Sequence, residues 1–172
     1  AADISGTARV GGQDWVVAPS HVRLEDQVLD VDPLVLELYE GQVRLRGRAD
    51  FTNPDEGRFR FALNAEGIRL QPTEPDAPAV GIDAALGVAG TTSLWAAYGD
   101  ADLQRGTERA SLELDVRGDR SSARIHSLHA RMPTGTLDGE GQASWDPVLA
   151  WDVALRLDGF DPAYFLPDWH GN

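Results

Sequence analysis

The sequence predicts an all-β protein built on a mainly antiparallel sheet with one apolar face, which either curls to line a groove or packs on a second sheet. Three observations predict this class. Apolar and polar residues alternate with a period of two along most of the chain, turn-forming clusters separate the runs, and no long run has the period of an amphipathic helix. A sheet with one apolar face must cover that face. A second sheet packed on the first, giving a β-sandwich, is the alternative that the pattern allows.

The alternating runs predict strands in chain order. Leu34, Leu36 and Leu38 keep the two-residue period, although the residues around them are good helix formers. Further strands are predicted over 42–51, 58–66, 82–88 and 112–117, with a hairpin over 135–157. Turn signals separate them, namely TNPDEG at 52–57, GDRSS at 118–122 and WDP at 145–147. A short helix is predicted near 161–169, since Asp161 can cap it and Pro162 suits its first turn.

The two halves of the chain resemble each other. A shift of 94 residues, which becomes 92 after the turn, matches Val43 with Leu137, Gly47 with Gly141, Phe51 with Trp145, Phe61 with Val153 and Gly67 with Gly159. We therefore expect residues 1–172 to form a single β-repeat segment of a larger protein. Its repeat units are expected at approximately 22–70 and 116–162, and a proline-rich connector at 71–80.

Small residues recur at the centre of the apolar face. Gly139, Gly141 and Ala143 alternate with polar residues in the last hairpin, where a packed core would need bulk. Glycine permits bulges and tight bends in a strand, so we expect the sheet to curve there. Trp145 and Trp151 flank the following turn and are expected to form the lip of the trough.

The apolar side of the strands is the candidate functional surface. A dry core between two sheets would use the same residues, and an open groove would present them to lipid-sized ligands. Acyl chains need only a continuous apolar surface, so such a site has no sequence motif. The predicted lining consists of Val43, Leu45, Phe51, Phe59, Phe61, Leu63, Leu114, Val116, Leu137, Trp145, Trp151, Val153 and Leu155.

The charged residues favour a solvated outer face over a catalytic site. Arg44, Arg46, Arg48, Arg58 and Arg60 lie on the polar side of two neighbouring strands, where acidic side chains can balance them. Contact with lipid headgroups or an acidic protein is the other interpretation of this basic stripe. Because it points away from the apolar lining, it could not hold the headgroup of a lipid inside the trough.

No catalytic residues, cofactor or metal site are predicted. His126 and His129 are three residues apart, which on a strand places them on opposite faces. The carboxylate pairs, Asp30 with Asp32 and Asp100 with Asp102, have no further converging ligands in the sequence. Cysteine is absent, and the net charge of -13 disfavours binding to nucleic acid.

The C-terminal third carries a family resemblance. It combines G-x-L-x-G-x-G-x-x-x-W-D-P at 135–147, L-A-W-D-V-x-L-x-L at 149–157 and DPAYFLPDWHGN at 161–172. These motifs resemble the repetitive β-domain of the TamB family, the inner-membrane subunits of the translocation and assembly module, within the AsmA-like group. The resemblance implies the fold of the sheet, namely an elongated, curled, mainly antiparallel β-sheet that forms a taco-like trough with an apolar concave face. The resemblance implies a periplasmic location, as part of an inner-membrane-anchored protein of a Gram-negative bacterium. It also implies an Omp85-type outer-membrane barrel as partner of the full-length protein, and no enzymatic activity.

Together these observations predict a non-enzymatic hydrophobic groove in the bacterial envelope. The groove would shield phospholipid acyl chains, or unfolded strands of outer-membrane proteins, in transit between the inner and outer membranes. A structural β-spacer or a protein-interaction module without a lipid ligand is the alternative. An enzyme is the weakest interpretation, because the sequence shows no convergent polar cluster.

Overall fold

The computed structural model describes residues 2–10, 13–53, 56–71 and 78–160, and within these ranges the chain forms strands joined by turns. The predicted helix near 161–169 lies outside the described residues, as does most of the connector. The eleven strands are β1 (Ala2–Val10), β2 (Gln13–Glu25), β3 (Val28–Leu38), β4 (Gly41–Asp50), β5 (Arg58–Leu70), β6 (Val80–Thr91), β7 (Trp95–Arg105), β8 (Glu108–Gly118), β9 (Ser122–Met132), β10 (Gly135–Ser144) and β11 (Ala150–Asp158).

All eleven strands belong to one sheet, and their spatial order is their order in the sequence. Every neighbouring pair is antiparallel, and strands contact one another extensively only when they are consecutive in the chain. The sheet is not closed into a barrel, because β1 and β11 are its two edges. The predicted all-β, antiparallel, curled sheet is therefore confirmed, and the architecture is one sheet rather than a sandwich of two.

Alternation along each strand sets which side chains are shielded. In β5, Phe59, Phe61 and Leu63 are half-buried, whereas Arg58 and Arg60 between them are exposed. The strands on both sides continue the pattern, since directly paired residues of an antiparallel ladder point to the same face. The apolar residues thus form one face of the sheet, which is continuous from β3 to β11.

A bulge interrupts β3 close to Pro33. The register with β4 shifts between Val31 and Leu34, which keeps both side chains on the apolar face despite their odd spacing. The Ser20 hydroxyl, which is buried, accepts a hydrogen bond from the Val35 amide at 3.0 Å and donates one to the Ala18 carbonyl at 2.7 Å. This hydroxyl partly replaces the ladder hydrogen bonding that a proline cannot provide. β3 begins at Val28, before the predicted strand, and this first residue pairs with Glu25 of β2 and with Asp50 of β4.

Four strands, β1, β2, β7 and β9, were not predicted as separate runs. In β2 the alternation is broken by Pro19 and by the buried Ser20, so no clean period of two is visible. β7 has small or charged residues where other strands have large apolar ones, for example Gly99 and Ala101. β2 and β7 nevertheless form strands, because each has a neighbouring strand on both sides that provides hydrogen-bond partners for its backbone.

Candidate functional site

The candidate site is the apolar concave face of the sheet, and cross-strand pairing assembles it. One row of partners runs from Leu45 in β4 through Leu63, Leu86, Gly99 and Leu114 to β9. The row then continues through Leu128 and Gly139 to Leu155 in the edge strand β11. Parallel rows on either side are apolar as well, so the face is continuous from β3 to β11, with Arg105 and Glu108 paired at one end.

The ladder places eleven of the thirteen predicted lining residues on this face, and the other two directly follow strands that contribute to it. Phe51 comes after β4 and Trp145 after β10. Their backbone amides are bound equivalently, to the carbonyls of Gln27 and Ser121, each at 2.9 Å. The eleven ladder residues are Val43, Leu45, Phe59, Phe61, Leu63, Leu114, Val116, Leu137, Trp151, Val153 and Leu155.

The concave face is open to solvent. Leu86 lies at the centre of the sheet, in β6, and 39% of its surface is still exposed. On the edge strand, Trp151 is 75% exposed and Leu155 is 51% exposed. A leucine in the middle of a closed core would be almost fully buried, so no second layer of the described residues covers this face.

Sequence reasoning missed several members of the same face. They extend the predicted lining over strands that it left out, and the signal that could have identified them is the same period of two. The additional large members include Val31, Leu34, Leu36, Leu86, Val88, Trp95, Leu112 and Leu128.

The glycines of the concave face lie beneath large neighbouring side chains. A Cβ added at Gly139 would come within 2.8 Å of Leu155 Cδ2, and one at Gly141 within 3.0 Å of Val153 Cγ2. At Gly47 an added Cβ would overlap the ring of Phe61. The space above each glycine is therefore filled by a large side chain of the neighbouring strand, which can lie flat on the sheet because the glycine has no side chain. The register also shifts between Gly139 and Gly141, opposite a bulge in β9.

One end of the concave face closes on itself. Val80 in β6 and Met132 in β9 are 2% and 5% exposed, although two strands separate them in the sheet. Residues from four other segments pack around them, namely Leu70, Ile82, Leu103, Ala110 and Phe160. Side chains from such distant strands meet only because the sheet curls, so this cluster closes one end of the trough.

Asp30 and Asp32 balance the basic stripe on the outer face. Arg48 is 3.2 Å from Asp30 and Arg46 is 3.8 Å from Asp32. The aspartate pair considered as a metal or acid–base site is thus engaged with arginines on the neighbouring strand. Arg48 is directly opposite Arg60 in β5, so two like charges also face each other. These contacts favour the solvated-face interpretation of the stripe.

His126 and His129 also belong to the outer face. His129 Nδ1 is 2.7 Å from Asp138 Oδ1 on the next strand. The bulge between Ile125 and Leu128 shifts the alternation, and His126 and His129 line the same outer depression of ≈ 470 Å³ instead of lying on opposite faces. No group of three or more His, Cys, Asp or Glu side chains in the described part of the chain could hold a metal ion.

Hydrogen-bonded turns lie at the other end of the trough, opposite the cluster around Val80 and Met132. The Asp119 carboxylate accepts hydrogen bonds from the amides of Ser121 and Ser122 at 2.7 and 2.8 Å, and from both hydroxyls. The Ser121 amide and hydroxyl, followed by those of Ser122, hold the pKa of Asp119 below its ordinary value. The indole of Trp95 donates to the Asp119 carbonyl at 3.1 Å, and that of Trp145 to the Arg120 carbonyl at 2.7 Å. The tryptophans are thereby fixed to the turn.

A second turn carboxylate lies at the same end. Asp50 accepts hydrogen bonds from the hydroxyl and the amide of Thr52 at 2.6 and 3.0 Å. Mainly through the hydroxyl, these bonds lower the pKa of Asp50, with a smaller contribution from Arg48 and Arg58. The two carboxylates with lowered pKa values thus belong to the turns and not to the apolar lining.

Comparison with known proteins identifies a family for the second half of the chain. The family model described as TamB, N-terminal domain, matches residues 97–172, which include most of β7 and all of β8 to β11. No curated protein and no solved structure matches the chain. Within the described residues, no helix is long and apolar enough to cross a membrane.

Proposed function

Because residues 97–172 identify this chain as a member of the TamB family, we propose that its concave face shields the acyl chains of phospholipids in transit between the inner and outer membranes. The TamB family is a non-enzymatic family of the translocation and assembly module, whose members are anchored in the inner membrane and span the periplasm. An Omp85-type barrel is the partner that this membership implies for the full-length protein. That the trough carries lipid is our proposal.

One observation carries the proposal: an apolar face continuous across nine strands that no second layer of the described residues covers. Leu86 at its centre and Leu155 at its edge both remain substantially exposed. Covering such surface with an acyl chain gains about 25 cal/mol per Å². From β3 to β11 the paired residues on this face are apolar or glycine, apart from Arg105 and Glu108, so an alkyl chain meets no hydrogen-bonding group that would hold it in one place.

Unfolded strands of outer-membrane proteins are the second candidate client. Such strands alternate apolar and polar residues, so one side of each would match the lining. Within the described residues β11 pairs on one side only, and this favours a polypeptide client because a polypeptide, unlike an acyl chain, can form hydrogen bonds with a strand edge. A structural spacer without ligand is the third interpretation, and it would leave the concave face hydrated.

A charge placed inside the trough tests the lipid proposal. Leu155→Asp puts a carboxylate on the lining, and Ala154→Asp puts the same charge on the outer face of the same strand. We expect native mass spectrometry of protein purified without detergent to show bound phospholipid in the wild type and in Ala154→Asp. In Leu155→Asp the bound fraction should fall about tenfold, because burying an unpaired charge against an acyl chain costs at least ~1.4 kcal/mol.

Circular dichroism serves as the control for folding, and both variants should keep the wild-type strand signal because Leu155 lies on an exposed edge. A ligand-free spectrum of the wild type, purified from a membrane-containing host, would refute the lipid proposal. Equal lipid occupancy in both variants would show that the lipid lies elsewhere.

A further inference from the structure

Four arginines lie in one cross-strand row on the outer face of the sheet. In this row Arg48 of β4 is directly opposite Arg60 of β5, and Arg117 of β8 is directly opposite Arg124 of β9. One alanine each from β6 and β7 joins the two pairs in the ladder. Like charges directly opposite each other destabilise a sheet. In a chain with 28 acidic residues and only 15 lysines and arginines, two such pairs in one row call for a physical reason.

The two arginine pairs differ in the charges around them. Arg48 is 3.2 Å from Asp30, its direct partner in β3, so a carboxylate compensates the first pair. In the second pair, Arg124 has a neutral glutamine as its partner on the other side. Among the described residues, no ion pair or hydrogen bond engages the Arg124 guanidinium group. The second pair is therefore the less compensated of the two.

The second pair lines a depression in the outer face. The depression has a volume of ≈ 610 Å³, and four consecutive cross-strand partners from β8 to β11 lie along it, namely Arg117, Arg124, Gln142 and Asp152. His126 lies beside them, because the bulge in β9 places it on the outer face. The depression thus brings together two guanidinium groups, an imidazole and an amide, all of which can donate hydrogen bonds.

Two carboxylates also line this depression, and neither of them engages Arg124. The Asp119 carboxylate already accepts four hydrogen bonds from two serines of its own turn. Asp152 lies two strands away from Arg124, with a glutamine between them in the ladder, and the two form no ion pair within the described part of the chain. An incoming anion therefore displaces no carboxylate from Arg124.

We propose that Arg117 and Arg124 bind a phosphate group in this depression, with His126, Gln142 and Ser144 as further hydrogen-bond donors. Arginine holds phosphate through two parallel N–H···O bonds. Directly opposite residues have Cα atoms about 4.5–5.5 Å apart, so both guanidinium groups can reach one anion. One arginine satisfies both oxygens of a carboxylate, whereas the donors gathered here match the larger number of oxygens on a phosphate. The site lies on the outer face and does not require that the trough hold lipid.

A phosphate titration followed by NMR tests the site. Inorganic phosphate is added at neutral pH and constant ionic strength to the ¹⁵N-labelled chain, and the arginine Nε–H and backbone amide signals are recorded. We expect saturable shifts at Arg117, Arg124 and Gln142. Arg124→Gln should weaken the binding at least about tenfold, because it removes charge-assisted hydrogen bonds. Arg60→Gln is the matched control, since it makes the same charge change in the same row, and it should weaken the binding less than about twofold.

Three outcomes would overturn a built phosphate site. Equal weakening in Arg124→Gln and Arg60→Gln would show that net charge alone attracts the anion. Shifts that do not saturate would exclude a defined site. A glutamate peptide that binds as tightly as phosphate would show that the depression takes carboxylates. Circular dichroism should show the wild-type strand signal for each variant, because these arginines are exposed.

Arg124→Lys separates the geometry of the site from its charge. Lysine keeps the positive charge but cannot hold two oxygens at once. We expect Arg124→Lys to weaken phosphate binding at least about threefold, and an unchanged affinity would contradict binding by two guanidinium groups.

Vesicles of phosphatidylglycerol distinguish a lipid headgroup from free phosphate as the source of the group. Retention of the wild type but not of Arg124→Gln by the vesicles would assign a lipid headgroup. Equal retention of both proteins, or of neither, would assign free phosphate if the NMR titration saturates. The absence of both a saturable titration and a retention that depends on Arg124 would refute the proposal. Lipid bound in the trough, measured by native mass spectrometry, should be the same in Arg124→Gln as in the wild type, so this result is independent of the lipid proposal.

Discussion

The segments β3–β5 and β9–β11 have the same backbone conformation but differ in how far their apolar side chains are buried. Both have a bulge in the first strand, glycines in the second, and an aromatic residue after it whose amide binds the preceding turn at 2.9 Å. Yet Leu63 in β5 is half-buried, whereas Leu155, its counterpart in β11, is 51% exposed.

The difference teaches that local shape and burial have separate causes. Bulge, turn and glycine positions follow from residues within each segment, so both segments adopt the same shape. Burial depends on neighbours: β5 lies between β4 and β6, whereas β11 has a partner on one side. An internal strand therefore contributes stability that its equivalent at the edge cannot.

Proline at equivalent positions should give the largest contrast. Ala62 and Ala154 are both exposed alanines on the outer face, one in the internal strand and one in the edge strand. Ala62→Pro removes a ladder hydrogen bond and should cost about 3 kcal/mol or more of unfolding free energy. Ala154→Pro should cost roughly half of that or less, since an edge strand can yield locally. Urea unfolding followed by circular dichroism measures both. Similar losses would mean that β11 is held as firmly as β5.

Filling the glycine positions should give an intermediate contrast. A Cβ at Gly47 would overlap Phe61 and the Arg60 carbonyl in an internal strand, so Gly47→Ala should cost about 1–3 kcal/mol. At Gly141 the nearest atom is the Asp152 carbonyl oxygen at 2.7 Å, and it belongs to the edge strand, which can move. We expect Gly141→Ala to shift the urea midpoint less than Gly47→Ala does. The reverse order would contradict the greater freedom of the edge.

The turns that precede the two segments should give the smallest contrast, visible in the pH dependence of stability. Asp119 has a lowered pKa in the folded state, so its contribution is present above the ordinary value of 3.8 and is lost as the pH falls through the lowered value. Asp119→Asn should therefore lower the melting temperature above about pH 5, and the difference should shrink toward pH 3. Glu25→Gln, at the equivalent position of the first unit, is the matched control variant. A difference independent of pH would exclude this cause.

The strands with strict alternation were predictable, and the departures from alternation were not. Phe59, Phe61 and Leu63 alternate with exposed residues, and this pattern both predicts β5 and identifies its inner face. Around Pro33 the face is kept by a bulge and by the distant hydroxyl of Ser20, which no local pattern reveals. The His126 and His129 prediction was wrong for the same reason, because the bulge in β9 changes the parity.

The apolar character of the candidate site was also predictable, but not its openness. Alternation indicates that Leu155 faces the inner side, and a closed sandwich would require the same residue there. Openness follows from the absence of a second layer among the described residues, which is a property of the whole sheet. The ion-pair partners of the arginine stripe could not be predicted either, because Asp30 and Asp32 meet Arg48 and Arg46 only through the pairing of β3 with β4.

Because the strands lie in strictly sequential order, the number of strands sets the length of the sheet. Each added strand lengthens the structure by about 4.8 Å along its curve, so the eleven strands extend roughly 48 Å. The width is set independently by strands of 9 to 13 residues. Duplicating a hairpin within the gene would then lengthen the reach in steps of about 10 Å while leaving the cross-section unchanged. A protein of this design can match a gap between two surfaces simply by the number of its strands.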